Sequence, residues 1–340
     1  MKKLSKQEYN NYLNYYISNH DVTKTENAFL KSESIDNIAD ERGYSSFAEF
    51  KDTDIAELLY EKMHITSVST FHVGRGAYTK LFNFLLEKGI VSNNPCYGIA
   101  LSLDSFTNYI SWDDSLKPYT REYVCNSIDF NAYNKDYYNV IMLSIYEGIY
   151  SSYKLLANFR YSDIDSNGVI HTNFGERIPS KRLLDSIYKL KEENEFIYTY
   201  KKGVLVAVED RVVPYIMINK KDVEHFTTNE EGQHRIQKSM YKLIGRFNHN
   251  NGTDFSQQKL WESGLINRVI ESLGEERFID IMLNPTTDKA EHEELNNMLR
   301  NTYGWDFDNE LAIDKFKTSY RYHAVRLKRE LSQKQNICSE

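Results

Sequence analysis

The chain has 340 residues, which is long enough for two domains that each bury a core of their own. Hydrophobic residues make up 41% of it and aromatic residues 14%, while glycine (15) and proline (5) are scarce, which favours long helices over a turn-rich β fold. The net charge of −7 counts against nucleic-acid binding without excluding it, because phosphate contacts depend on the charge of one face rather than on the total.

The sequence holds no run of about 18 apolar residues, so we expect no membrane span, and its first residues lack the apolar core of a signal peptide. The three cysteines, Cys96, Cys125 and Cys338, lie too far apart for a disulfide framework or a metal site. We therefore expect a cytoplasmic protein that binds no metal and no cofactor.

The first third of the chain predicts helices over 3–20, from Asp21, and within 45–63. The next predicted helix begins near Thr66 and ends at Gly89, because glycine is the preferred residue after a helix. One face of it is apolar (Val73, Ala77, Leu81, Phe84, Leu85), and another carries His72, Arg75 and Thr79.

A polar stretch around Trp112–Thr120 separates two helix-rich blocks and predicts a linker. We expect a helical domain over 1–112, a linker over 113–120 and a second domain over 121–340. The second domain should contain a buried helix over 137–149, a strand over 169–172, a helix over 180–192, and a hairpin formed by 196–200 and 204–208. The predicted fold is therefore mainly α with a small antiparallel sheet.

Two groups of motifs in the chain resemble those of a known family. The first group consists of Ser69, Thr70, Tyr78, Leu81, Phe82, Phe84, Leu85, Gly89, Ile90, Asn94 and Pro95, and it resembles the core-binding domain of the tyrosine recombinases, or phage integrases. The second resembles the start of their catalytic domain and consists of 146–150, 155–165 and the hairpin exit 177–179. The resemblance covers nearly the whole chain in the family's order, and it implies a two-domain recombinase-like fold.

The family cleaves DNA with a tyrosine nucleophile, while two arginines and a histidine or tryptophan stabilise the phosphate transition state. The resemblance places Tyr150 at the first arginine, and Gln258 and Trp261 at the histidine and arginine of the second box. Tyr303 is the nearest candidate for the nucleophile. Because each lost donor costs about 10²–10³ in rate, we expect no catalytic residues and no DNA cleavage.

The DNA-clamping surface of such a scaffold does not depend on the catalytic residues. Arginine and lysine suit phosphate, and arginine also suits guanine, whereas a solvated charged face is the competing interpretation for each group. The predicted contacts are Ser69, Thr70, His72, Arg75, Thr79 and Lys80 on one helix; Lys117, Tyr119 and Arg121 in the linker; Arg177, Lys181 and Arg182 at the hairpin exit; and Arg235, Lys238, Lys242 and Arg246 on one face of a later helix.

These features predict a sequence-specific transcriptional repressor on a catalytically inactive recombinase scaffold. It resembles the recombinase-fold repressors that maintain lysogeny in SPbeta-like Bacillus prophages. The implied partners are operator DNA in the bacterial nucleoid and an antirepressor or other regulatory protein, and the protein would be a monomer or weak dimer. An active recombinase and a protein-interaction module without DNA binding remain alternatives. A basic, amphipathic C-terminal helix over 310–333 would pack on a neighbouring subunit or, as we favour, in cis on its own domain.

Overall fold

The computed structural model describes residues 6–31, 34–44, 46–130, 133–172, 175–192, 195–200, 203–208, 230–284, 290, 293–297, 299 and 310–338, and the side chains of most of them. Helices dominate. They are α1 (Lys6–Asn19), α2 (Lys24–Leu30), α3 (Ser34–Arg42), α4 (Asp52–Glu57), α5 (Val68–Glu87), α6 (Leu103–Ile110), α7 (Arg121–Phe130), α8 (Lys135–Tyr146), α9 (Tyr153–Leu156), α10 (Lys181–Glu192), α11 (Glu230–Asn251), α12 (Gln257–Leu273), α13 (Glu275–Leu283) and α14 (Glu310–Cys338).

Two antiparallel hairpins accompany the helices. In one, β1 (Ile170–Thr172) pairs with β2 (Gly175–Arg177), and in the other, β3 (Glu195–Tyr200) pairs with β4 (Gly203–Val208). The second hairpin lies where the sequence predicts one, and its register sets Tyr200 opposite Gly203. The expected fold class, mainly α with small antiparallel sheets, is confirmed. None of the described helices combines the length and hydropathy needed to cross a bilayer.

The chain forms two compact units. The first comprises Met1–Leu116, Met282–Asn284 and Asp314–Glu340, and the second comprises Lys117–Ile281 and Pro285–Ile313. The division after Leu116 falls inside the predicted linker. The expectation that all of 121–340 forms the second domain is corrected for Met282–Asn284 and for Asp314–Glu340, which contains most of α14, because both segments belong to the first unit. The reason is burial, because Tyr322 on α14 is part of the first unit's apolar core.

The core of the first unit is organised around α5. Ser67 caps its N-terminus, and Gly89 (φ +68°) follows its C-terminus in the left-handed conformation that glycine adopts without strain. Phe71 is fully buried and stacks on Phe106 of α6 with ring centroids 4.3 Å apart. Val73, which the sequence placed in the apolar stripe, is 37% exposed, because the buried face of α5 passes through its neighbours Phe71 and Gly74.

The core of the second unit is organised around α8. Every residue from Tyr137 to Tyr146 is buried, because α7, α10 and α12 all pack on this helix. The near-continuous apolar run in the sequence is therefore explained by a helix that has neighbours on several sides. At Gly264, α12 comes so close to the backbone of α8 that the space holds no side chain.

Candidate nucleic-acid interface

The N-terminal half of α5 presents part of its polar face to solvent. Ser69, Thr70 and His72 are exposed, while Arg75 is half-buried and donates from Nε to the Cys96 carbonyl at 3.3 Å. Partial desolvation, and next the charge of Arg75, lowers the pKa of His72 below its usual 6.5. His72 is therefore neutral at pH 7, and a neutral imidazole is suited to a base edge or a hydroxyl rather than to salt-dependent phosphate neutralisation.

Farther along α5, Thr79 and Lys80 make contacts inside the first unit. The Thr79 hydroxyl donates to the Arg75 carbonyl at 2.7 Å, and the Thr79 carbonyl accepts from Nδ2 of Asn94 at 2.9 Å. Lys80 Nζ lies 2.6 Å from Oε1 of Glu26. The structure thus separates this group into an exposed set near the start of the helix and a set that ties α5 to α2 and to the Asn94 turn.

The ion pair between Lys80 and Glu26 can be tested by measuring stability as a function of pH. The Glu26 carboxylate accepts from Lys80 and from the Thr23 backbone and hydroxyl, which lowers its pKa from 4.5 to about 2. A depressed folded-state pKa means that the stabilisation is present above the ordinary pKa and is lost as the pH falls towards 2. We expect Glu26→Gln to be less stable than the parent chain at pH 7 in urea denaturation, with the difference shrinking between about pH 5 and pH 3.

The control for this variant is Glu87→Gln, which removes an exposed carboxylate from α5 itself. It should change the free energy of unfolding by less than about 0.5 kcal/mol at any of these pH values. A Glu26→Gln deficit that stays constant with pH would show that the ion pair is not its cause.

Tyr119, expected as a linker contact to DNA, lies in the core of the second unit, and this corrects the sequence prediction. It is 7% exposed, and its hydroxyl donates to Oδ1 of Asp254 at 2.6 Å. Its amide donates to the Ser263 hydroxyl, and its carbonyl accepts from Asn267. Burial, and then the Asp254 carboxylate, raises the pKa of the phenol, so it remains a neutral donor. The linker tyrosine therefore anchors the chain to α12.

We expect Tyr119→Phe to lower the stability of the second unit by about 1–3 kcal/mol, because Asp254 loses a hydrogen bond to a charged acceptor. DNA affinity of the folded variant should not change. Tyr123→Phe is the matched control, since Tyr123 stacks on Tyr119 but is 43% exposed, and it should be nearly neutral. Chemical denaturation and a DNA titration at one salt concentration measure both quantities. Unchanged stability together with weakened DNA binding would show that Tyr119 contacts DNA, as the sequence predicted.

Arg121, the arginine among the predicted linker contacts, is bound by a buried carboxylate. Nη2 of Arg121 donates to Oε1 of Glu147 at 3.1 Å, and Oε2 of Glu147 accepts from the Ser180 amide at 2.8 Å. The Glu147 side chain is 2% exposed, whereas the Arg121 side chain is 45% exposed. With Arg268 of α12 these groups line a cleft of about 530 Å³ within the second unit. Lys117 is exposed at the start of this segment.

The sequence analysis missed Glu147, although it contained a signal for it. A single carboxylate at the end of an otherwise apolar, buried helix requires a cationic or hydrogen-bonding partner, because an unpaired buried charge is very costly. Only the fold shows that the partners are Arg121 and the N-terminus of α10.

The three basic residues at the hairpin exit have three different environments. Arg177 is 8% exposed, and burial together with the nearby charge of Arg268 lowers its pKa. Arg182 is engaged by α7 and α8, since it donates to Oδ1 of Asn139 at 2.9 Å and to both carboxylate oxygens of Asp129. Lys181 is exposed. Of this group, Lys181 is the residue placed to meet a ligand in solution, while Arg177 and Arg182 are packed into the unit.

The fourth group lies on one exposed face of α11. Lys238, Lys242 and Arg246 are all exposed, one to two turns apart, and the side chain of Arg235 lies outside the described residues. The opposite face is buried in the core of the second unit and consists of Ile236, Met240, Leu243, Ile244 and Phe247. The apolar face fixes the rotation of the helix, so the basic face must point to solvent.

Of the positions that the family resemblance assigns to catalysis, the structure describes Tyr150, Gln258 and Trp261. Tyr150 is 9% exposed and packs on Phe159, and burial raises the pKa of its phenol. Gln258 is exposed and donates to Glu262 at 2.9 Å, while Trp261 packs half-buried against the core. Tyr303, the nucleophile candidate, lies outside the described residues. The Tyr150 ring itself carries no positive charge that could stabilise a phosphate.

The residues that carry the family resemblance most specifically are turn-forming residues. Oδ1 of Asn94 accepts from the Cys96 amide, and Oδ1 of Asp165 accepts from the Asn167 and Val169 amides. Oδ2 of Asp163 accepts from the Arg160 amide. Short polar side chains that accept hydrogen bonds from the backbone a few residues away shape such turns, so these motifs specify local structure.

No protein-family model and no curated protein sequence matches the chain. Among solved structures it is similar to the integrase of the transposon Tn1549 in complex with a circular-intermediate DNA, with a TM-score of 0.34, 14% identity, and coverage of 89% of this chain and 97% of that chain. The same integrase in complex with transposon right-end DNA is similar with a TM-score of 0.33 and 12% identity, and the match covers 89% of this chain and 96% of that chain. A lambda integrase dimer bound to a COC' core site is similar with a TM-score of 0.31 and 13% identity, and the match covers 88% of this chain and 96% of that chain. These identities are too low to transfer an activity or a residue role.

Proposed function

We propose that this protein binds double-stranded DNA sequence-specifically without cleaving it, and that it acts as a transcriptional repressor of a prophage. The observation that carries the proposal is the exposed basic face of α11, which consists of Lys238, Lys242 and Arg246. It belongs to the unit that also contains the buried phenol of Tyr150, which the family resemblance aligns with the first catalytic arginine. A cationic surface supplies phosphate contacts, whereas a buried phenol in place of that arginine would not stabilise a phosphate transition state.

The exposed polar residues at the start of α5 support sequence specificity. Ser69, Thr70 and His72 are short or neutral hydrogen-bonding groups on solvent-facing turns of one helix. Such groups read base edges, whereas the lysines of α11 neutralise backbone phosphate. In this proposal the first unit provides the sequence specificity, and the second unit provides most of the electrostatic contribution to affinity. A protein that binds an operator and leaves it intact represses by occupying it.

The test is a gel shift against fragments of the surrounding genome at about 50 and about 200 mM salt, since phosphate contacts make affinity fall steeply over this range. We expect one or a few fragments to shift, more weakly at the higher salt. Binding to no fragment, or binding that is indifferent to salt, would reject the proposal in favour of a protein-interaction module.

A second arm decides between a repressor and an active recombinase. The bound fragment is rebuilt as a nicked suicide duplex, on which a tyrosine recombinase accumulates a covalent protein–DNA adduct. We expect no adduct. A covalent adduct that disappears in Tyr303→Phe would identify a working recombinase.

A further inference from the structure

The C-terminal helix is bound at one end of α6 by two arginines. Arg326 Nε donates to the Ser111 carbonyl at 2.9 Å, and its Nη2 donates to the Asp113 carbonyl. Arg329 donates to the Ser111 carbonyl at 2.8 Å and to the Ser111 hydroxyl at 3.1 Å. Its guanidinium also lies 3.5 Å from the centre of the Trp112 ring. These four groups, the Ser111 carbonyl and hydroxyl, the Asp113 carbonyl and the Trp112 ring, are called the α6 seat below.

The chemistry of the seat explains why it takes arginine. A helix C-terminus leaves carbonyl groups without intrahelical partners and carries partial negative charge, so cations are stabilising there. The planar guanidinium can donate to more than one carbonyl and also stack on an aromatic face, which an ammonium group does less well. Arg326 is 3% exposed, so its contacts with the seat are shielded from water.

The rest of the contact between α14 and the first unit consists of buried apolar side chains, an ion pair, and buried polar atoms that lack a hydrogen bond. Tyr322 and Phe316 are buried, and Arg321 pairs with Asp104 of α6 at 2.6 Å. Within the described part of the chain, Nδ1 of the buried His323 and Nη1 of Arg326 have no hydrogen-bond partner. Because an unsatisfied buried polar group is unfavourable, these two atoms oppose the packing of α14, which the apolar burial and the hydrogen bonds of the two arginines favour.

The seat also lies where the chain leaves the first unit. Residues 111–113 immediately precede the turn Asp114–Leu116, after which the second unit begins at Lys117. The amides of Trp112, Asp113 and Leu116 donate within this turn, to Tyr109, Ile110 and Asp113 respectively. Because α14 binds the carbonyl groups of Ser111 and Asp113, it stabilises the conformation of this turn in addition to the hydrogen bonds of the amides.

We propose that the α6 seat is a docking site for a helix that presents two arginines three residues apart, that α14 occupies it in cis, and that its occupancy fixes the start of the linker. The C-terminal helix then acts as a clasp on the segment at which the chain first passes from the first unit to the second. As far as the clasp affects DNA, the inference rests on the proposed function, because a fixed linker lowers the conformational entropy that is lost when both units bind one duplex.

The test uses the full chain with Arg326→Gln and Arg329→Gln together. Hydrogen exchange at Trp112, Asp113 and Leu116 should accelerate about tenfold or more, since the turn loses several hydrogen bonds. Exchange in the core of α5 should not change. The matched control, Lys328→Gln with Lys334→Gln, removes two exposed charges from the same helix and should leave these amides as they are.

Docking is tested separately with a synthetic peptide of residues 310–338 added to the double variant. We expect the peptide to slow exchange at the turn, and the same peptide carrying both glutamines to have no effect. If the double variant does not fold, the test is repeated with Arg329→Lys, which keeps the charge and should give a smaller acceleration at the same amides.

Unchanged exchange at the turn in a folded double variant, or a peptide effect that does not depend on the two arginines, would overturn the docking site. The exchange arms need no DNA, so they remain decisive if the parent chain proves not to bind any fragment. If it binds, the double variant should bind severalfold more weakly than the lysine control. Equal affinities would refute the coupling between clasp and linker.

Discussion

Gly264→Ala is expected to destabilise the second unit by about 3 kcal/mol or more, or to prevent it from folding. A Cβ at this position would lie 1.7 Å from the Tyr146 carbonyl oxygen. The obstructing atom belongs to the backbone of α8, which cannot move aside because its side chains fill the core on several sides. The substitution therefore has to push α12 away from α8 and open the packing between them.

Gly245→Ala on α11 is the matched control. No atom lies within 4 Å of a Cβ built there, and the residue is exposed in a helix. Alanine is favoured over glycine by up to about 1 kcal/mol at such a site, so this variant should be neutral or more stable. Guanidinium denaturation followed by circular dichroism compares the two. A Gly264→Ala deficit below about 1 kcal/mol would mean that the two helices do not approach so closely.

Lys238→Ala combined with Lys242→Ala is expected to weaken DNA binding about equally for all sequences and to lower the slope of log affinity against log salt by about 2. Both lysines are exposed on the basic face of α11. Each releases counterions on contact with phosphate, so the effect should be largest at low salt. Stability should change little, because neither side chain is part of the core.

Lys135→Ala with Lys154→Ala removes the same charge from exposed positions of the second unit outside α11. This control separates a localised contact from the general effect of charge. A titration of a labelled operator fragment at three or four salt concentrations gives both slopes. If the two double variants lose the same slope, the basic face of α11 is not the interface.

The candidate contacts show what a charge pattern in sequence can and cannot establish. Helical spacing correctly placed Lys238, Lys242 and Arg246 on one face, because an amphipathic helix buries its apolar side. It could not reveal that Arg182 is engaged by Asp129 or that Lys80 is engaged by Glu26, since both carboxylates come from other helices. The local pattern determines which side of a helix a residue occupies, but not whether a partner from elsewhere neutralises its charge.

The clasp is the clearest case in which long-range packing decides the outcome. The sequence predicted α14 as a helix and placed Arg326 on its charged side, yet this guanidinium is buried against carbonyls more than two hundred residues earlier. The periodicity of 310–338 does not predict this contact, because the acceptors are backbone carbonyl groups, which every residue has.

What the sequence determined by itself is therefore local. Apolar spacing, glycine after α5 and the polar turn residues specify the helices and the hairpins, because each depends on neighbours within a few residues. The tertiary structure alone decided that Tyr119 is a core anchor, that Glu147 joins α7 to α10, and that α14 completes the first unit. Those roles arise from pairs of groups that are distant in the chain and are brought together only by the burial of the two cores.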